Sequence, residues 1–99
     1  MSPADQTIRQ RMIDLLSREE MTDRELSQAL GIAERDVYGH LSHIARTLAA
    51  QGKKLEAVPV RCMQCGYVFR DRKRWTRPSR CPRCKESHIE RPSYRIVEA

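Results

Sequence analysis

Cys62-Met63-Gln64-Cys65-Gly66-Tyr67 and, with fifteen residues between Cys65 and Cys81, Cys81-Pro82-Arg83-Cys84 decide how this chain is read. Each C-x-x-C brings two sulfurs to one tight turn. Two such turns at this separation offer Cys62, Cys65, Cys81 and Cys84 to a single tetrahedral ion. Gly66 supplies the permissive backbone that lets amides fold back toward sulfur, and Pro82 stiffens the second turn. No βαβ pattern surrounds either pair, which disfavours two redox dithiols. The opening Met1-Ser2-Pro3-Ala4-Asp5 has neither a basic start nor an apolar h-region. The expectation is therefore a reducing, cytoplasmic compartment, where cysteines bind metal rather than pair as disulfides.

The implied cofactor is one structural Zn2+, with iron as a substitute, since softness alone does not separate the two in an all-sulfur site. Four thiolates close the coordination shell, so His88 is read as a surface histidine and metal catalysis is not expected: the protein reads as a non-enzyme. Sites of this kind supply roughly 10–16 kcal/mol of apparent binding free energy, most of it expressed as folding.

Strand signals flank the cysteines. Leu55-Glu56-Ala57-Val58-Pro59-Val60 precedes the first pair, with Pro59 marking an edge or irregular position, and Tyr67-Val68-Phe69 follows it. Ser93-Tyr94-Arg95-Ile96-Val97 near the C-terminus places Tyr94 and Ile96 on one face and is expected to pair antiparallel with the strand at Leu55.

Upstream, apolar spacing is helical. Ile8, Met12, Leu15 and Leu16 predict a helix from about Asp5 to Ser17 or Arg18, starting either at Ser2-Pro3 or at Thr7 with Gln10. Thr22 and Glu25 form a capping-box pattern ahead of Leu26, Ala29 and Leu30, and Gly31 offers a left-handed C-terminal position followed by Ile32. Glu34, Arg35 and Asp36 open a third helix, whose Val37, Leu41, Ile44 and Leu48 make a continuous core stripe. Its opposite face carries Arg35, Gly39, Ser42, His43, Arg46 and Ala50. Two short helices joined by a glycine-containing turn are a helix-turn-helix pattern. A plain helical hairpin would have the same pattern. With the strands added, the fold class is α+β: residues 1–54 a helix-turn-helix core, and 55–99 the strands of a wing with a metal ribbon inserted at its tip.

The 99 residues (11.6 kDa) have a mean hydropathy of −0.70 and 32% charged side chains, and no apolar run approaches a bilayer span. Net charge is +6, and it is unevenly placed. Residues 1–54 hold eight Lys/Arg against eight Asp/Glu, whereas 55–99 hold eleven against five. A divalent ion on four thiolates would add about −2 to the second half. Between the cysteine pairs, Arg70, Arg72, Lys73, Arg74, Arg77 and Arg80 surround Trp75. Such a stretch can track phosphates and stack on a base; alternatively it is a solvated loop whose Trp75 covers the metal core.

The whole chain resembles a family of small prokaryotic predicted transcriptional regulators, in which a winged helix-turn-helix is fused to a rubredoxin-like zinc ribbon. The resemblance rests on Leu26-Ser27 with Leu30-Gly31-Ile32 and on Asp36 to Leu41 with His43-Ile44. It rests also on Cys62-x-x-Cys65-Gly66-Tyr67-x-Phe69 and on Pro78-Ser79-Arg80-Cys81-Pro82-x-Cys84-Lys85. It implies double-stranded DNA as partner and structural zinc on the four cysteines. Candidate DNA contacts are Arg35, Ser42, His43 and Arg46 on the third helix, with the six ribbon cations. Two rival readings stand beside it: an adaptor docking on a protein of the transcription machinery, and rubredoxin-like electron transfer. No heptad or exposed apolar stripe commits the chain to an oligomeric state.

Overall fold

A computed structural model describes residues 3–70 and 74–99. Helix α1 (Pro3–Arg18) leads to a two-residue strand β1 (Met21–Thr22), then α2 (Asp23–Leu30) and α3 (Glu34–Ala50). Strands β2 (Lys53–Val58), β3 (Val60–Arg61), β4 (Val68–Phe69) and β5 (Ser93–Glu98) follow. This is an α+β architecture with two small antiparallel sheets, ordered β1-β5-β2 and β3-β4.

The first helix begins at Pro3, whose missing N–H costs nothing at that position. Ser2, the expected cap, lies outside the described residues. Thr7 and Gln10 are not a start: they lie inside α1. Met12 and Leu16 are buried, and Ile8 and Leu15 pack beside them.

The capping box forms as expected: Glu25 N donates to Thr22 Oγ1 (3.1 Å) and Thr22 N donates to Glu25 Oε1 (2.9 Å). Gly31 takes φ +68°, and its N–H and that of Ile32 both return to the Ser27 carbonyl. Leu26 and Leu30 are buried but Ala29 is exposed, a departure from the expected face. The α2 residue that is buried instead is Asp23, at 0% exposure. On α3, Val37, Leu41, Ile44 and Leu48 are each at most 1% exposed and form the centre of the core.

Pro59 divides what the sequence suggested was one strand from Leu55 to Val60. Without an N–H it cannot continue a ladder, so the chain leaves the first sheet after Val58 and enters the second at Val60. Strand β2 pairs along its length with β5, Leu55 opposite Ile96 and Ala57 opposite Tyr94. The far edge of β5 pairs with β1, Met21 opposite Tyr94, a pairing too short to announce itself in the sequence.

The carboxylate of Asp23 is the polar centre of this junction. Tyr38 donates its hydroxyl to Asp23 Oδ2 (2.6 Å), the Arg24 N–H donates to Oδ1 (2.7 Å), and Arg91 Nη1 reaches Oδ1 at 3.3 Å. Arg91 also pairs with Glu34 at the start of α3, and the Asp23 N–H donates to the Pro92 carbonyl. Burial, then the hydrogen bond to Asp23, pushes the Tyr38 phenol above its ordinary value, and it stays a donor. The two carboxylates and their hydrogen bonds hold Arg91 in its charged form against the cost of burial.

Removing the cation would leave a buried carboxylate with weaker compensation. Arg91→Ala is expected to lower the unfolding free energy by about 2 kcal/mol, below the range for a fully buried pair because Arg91 is part-exposed. The loss should shrink when Asp23 is already Asn, as a double-mutant cycle in denaturant would show.

Candidate metal centre

Two equivalent knuckles carry the cysteines. In the first, Gly66 N donates to the Cys62 carbonyl (2.9 Å) and Cys62 N to the Tyr67 carbonyl (2.8 Å). In the second, Lys85 N donates to the Cys81 carbonyl (2.9 Å) and Cys81 N to the Glu86 carbonyl (2.8 Å). The residue after each pair is left-handed, Gly66 at φ +81° and Lys85 at φ +68°. The second knuckle thus places an ordinary side chain in a conformation that glycine adopts without strain.

The four sulfurs lie within 4.8 Å of one another. Cys62 Sγ is 3.5 Å from Cys84 Sγ, and Cys65 Sγ is 3.7 Å from Cys81 Sγ. These separations are far longer than the ~2.05 Å of a disulfide, and the cysteines are free. A tetrahedral ion with bonds of ~2.3 Å would hold sulfurs about 3.8 Å apart, so the donor set fits zinc in both chemistry and size. Iron in a sulfur tetrahedron would meet the same geometry. Cys62 and Cys81 are buried and Cys65 and Cys84 half-buried.

Electrostatics prepare the cluster for a cation. The backbone N–H of Cys65 leads the groups that lower the Cys62 thiol. Burial opposes ionisation of Cys81, yet the N–H groups of Cys84 and Arg83 bring it down to about 7. Cys84 receives help from the Glu86 N–H, but burial and the neighbouring cysteines push it up to about 12. A cluster that must hold protons when metal-free releases them on loading.

The sheets place the remaining candidates. Trp75 packs against the helical core, its ring edge-on to Tyr94 at 6.2 Å, and its carbonyl accepts the Tyr94 hydroxyl. Arg70, Arg74, Arg77 and Arg80 are exposed, while Arg72 and Lys73 lie outside the described residues. Arg35, Ser42 and Arg46 are exposed on α3. His43 is half-buried in a groove shared with Gln6, Gln10 and Ile13 of α1, away from Ser42. His88 is exposed, and its carbonyl accepts from Met63 N. Reasoning from the sequence did not single out Asp23, Tyr38 or Arg91.

Comparison with known proteins agrees with this anatomy. Residues 7–55 match a family model described as PF0610-like, N-terminal, and residues 59–98 match the PF0610 rubredoxin-like zinc beta-ribbon domain. By these likenesses the chain joins a PF0610-like N-terminal unit to a zinc ribbon, which with the sulfur cluster supports structural zinc. The solution structure of protein PF0610 from Pyrococcus furiosus is similar over 100% of this chain and 94% of its own, with a TM-score of 0.79 and 28% identity. No curated protein matches closely enough to add a function. Among the described residues, no helix is long and apolar enough to cross a membrane.

The two knuckles make opposite mutational predictions. Gly66→Ala meets no atom within 4 Å of the added Cβ, so its cost is backbone strain alone, about 1 kcal/mol of stability. Lys85→Gly relieves the same strain and should stabilise the zinc-loaded protein in thermal unfolding. Apparent zinc affinity should fall as pH is lowered through the neutral range, because the metal-free Cys84 thiol already holds its proton there, and fall more steeply below about 7, where Cys81 regains its proton too, as a competing chromophoric chelator would read.

Proposed function

We propose that the protein is a DNA-binding transcriptional regulator, a winged helix-turn-helix whose wing, strands β2 and β5, carries a structural zinc ribbon. It acts as a binding protein rather than an enzyme, with α3 entering the major groove of double-stranded DNA. Arg35, Ser42 and Arg46 are the proposed contacts on α3, with His43 at the margin. The exposed ribbon arginines would supply most of the attraction to phosphate.

One observation carries this reading: Gly39 sits in the middle of α3, in the centre of the exposed strip between Arg35 and Arg46. An ideal Cβ there would meet nothing within 4 Å, and its φ is not left-handed. Glycine inside a helix costs about 1 kcal/mol relative to alanine. Nothing within the described chain requires it. A surface that must approach the helix backbone closely, such as the floor of a DNA groove, does.

A second reading has its own support. The helical half is charge-balanced, and Met63, 53% exposed on the first knuckle, is a large apolar side chain open to solvent. Both features suit docking on a protein of the transcription machinery.

The test is a salt titration of binding to random-sequence duplex DNA by the zinc-loaded protein, with a chelated control. Expected is a dissociation constant in the range of roughly 10⁻⁴–10⁻⁶ M that weakens steeply with salt and disappears with the metal. Arg46→Ala should reduce the salt slope by about 1. Gly39→Ala should raise stability by about 1 kcal/mol while weakening binding, opposite signs that a purely structural glycine would not produce. A folded, metallated protein that binds no DNA at low salt would overturn the reading and favour the docking one.

A further inference from the structure

The helical core and the ribbon bury separate sets of residues. Every buried residue of the core cluster lies on α1, β1, α2, α3, β2 or β5. From Val60 to Ile89, the buried residues among those described are Val60, Cys62, Cys81 and Ile89, and two of these four are cysteines of the metal centre. Strands β3 and β4 have two residues each, too few for a hairpin to stand alone. Folding of the ribbon therefore depends on the metal, whereas the core has its own apolar interior.

We propose that the metal centre is a switch acting on the helical half. With the cysteines loaded, the exit of the ribbon holds Arg91 between Asp23 and Glu34 and fixes α3 against α2. With the cysteines unloaded, the helices remain, this clamp loosens, and the exposed face of α3 loses its placement. As regulation of DNA binding the inference rests on the reading above; the coupling itself requires no DNA.

A continuous set of contacts leads from the sulfurs to α3. Backbone bonds stitch the first knuckle to the ribbon exit: Met63 N donates to the His88 carbonyl (2.8 Å), Cys62 bridges Ile89, and Glu90 N donates to the Arg61 carbonyl (3.0 Å). The next residue is Arg91, whose Nη1 lies 3.3 Å from Asp23 Oδ1 and also pairs with Glu34. Asp23 accepts the Tyr38 hydroxyl on its other oxygen. A change at Arg91 thus reaches α3 at two points, Glu34 and Tyr38. Both border the open strip, since Arg35 follows Glu34 and Gly39 follows Tyr38. Trp75, the ribbon's apolar contact with the core among the described residues, lies beside Tyr38 as well.

The asymmetry of the ion pair suits it to switching. The Asp23 side chain is 1% exposed and that of Arg91 35%, so the cation can swing into water and the carboxylate cannot. On the core side of Arg91, Asp23 N donates to the Pro92 carbonyl (3.1 Å), and β5 pairs with β1 and β2 from Ser93 onward. Those contacts need no ribbon. Loss of the metal removes the anchor on the other side only. Asp23 then keeps the Tyr38 hydroxyl and the Arg24 N–H without a fixed counter-charge, which favours local opening where α2 meets α3.

The test compares the full chain, zinc-loaded and after chelation under reducing conditions. Circular dichroism reads the helices, hydrogen exchange reads the amides of Asp23, Arg24 and Tyr38, and anisotropy of a labelled random-sequence duplex reads binding. On chelation the helical signal should persist, exchange at these amides should quicken by about tenfold, and duplex binding should be lost. Arg91→Gln with its zinc content intact should show the same faster exchange and weaker binding, and chelation should then add little at these amides. Arg91→Lys, which keeps a cation, should recover part of the protection. Loss of the helical signal with the metal overturns the proposal, because the metal would then hold the whole fold. Exchange unchanged by chelation overturns it too, as does an equal response to chelation in Arg91→Gln and the wild type. A metal- and Arg91-dependent change in exchange with no duplex binding in either state upholds the switch and overturns the DNA reading. Duplex binding that survives chelation while exchange quickens upholds the DNA reading and overturns control of the α3 face by the metal.

Discussion

Strand β5 lies between β1 and β2, so the sheet that backs the three helices is completed only by the last strand described. Tyr94, at its centre, is wholly buried and faces Met21 on one neighbour and Ala57 on the other. Everything from Pro59 to Pro92 is an excursion that must return its end to the place where it left. Closing a loop costs entropy that grows with its length. A metal joining Cys62 to Cys84 removes most of that freedom, and the backbone adds its own clasp where Cys62 bridges Ile89 and Glu90 N donates to the Arg61 carbonyl. The ribbon is therefore coupled to the helical core through the sheet, although its own apolar content is small.

The return is guided by charge as well as by hydrogen-bonded strands. Arg91 arrives at the N-terminal ends of α2 and α3 together, contacting Asp23 on one and Glu34 on the other. Each carboxylate also sits in the first turn of a helix, where the macrodipole favours it. A buried ion pair adds little net stability over an apolar replacement, because desolvation offsets attraction. What it does impose is placement: a shift of β5 by one residue would withdraw Arg91 from both acids and leave Asp23 without this counter-charge. Tyr38, fixed by the same carboxylate, transmits that placement to the face of α3 that meets Trp75.

Local features were legible in the sequence. The capping box, the left-handed Gly31 and the α3 core stripe each follow from spacing and residue type within one segment, the cysteine pairs name their own chemistry, and the pairing of β2 with β5 follows from two strand-like stretches on either side of the ribbon. The features that escaped depend on residues far apart. Asp23 at the start of α2 reads as an ordinary dipole-favoured acid, and nothing near it in the chain announces Tyr38 or Arg91. Trp75 was assigned to the metal core or to a ligand because its neighbours in sequence are ribbon residues, yet Tyr94, nineteen positions away, holds it on the helices. Ala29 fits the apolar stripe of α2 by spacing, but the helix is only eight residues long. Asp23 and its partners occupy the interior side of its first turn, leaving Ala29 outside, where its carbonyl accepts from Arg11 Nη2.

The division of charge acquires a physical sense once the ribbon is placed against α3. A charge-balanced helical half has little long-range pull on a polyanion, and an isolated α3 strip with two arginines around a glycine would be a weak reader. The C-terminal half carries the whole net charge of +6, reduced by about 2 when four thiolates hold a divalent ion. In the proposed DNA-binding reading, attraction and recognition reside on different parts of one surface: exposed ribbon arginines drawing the phosphate backbone in, and the open face of α3 meeting the groove. Trp75 is what joins them, since its seat beside Tyr38 and Ser42 places Arg74 at the edge of the α3 strip. Without that docking Arg74 would be tethered loosely to the ribbon; with it, Arg74 has a fixed register on the helix.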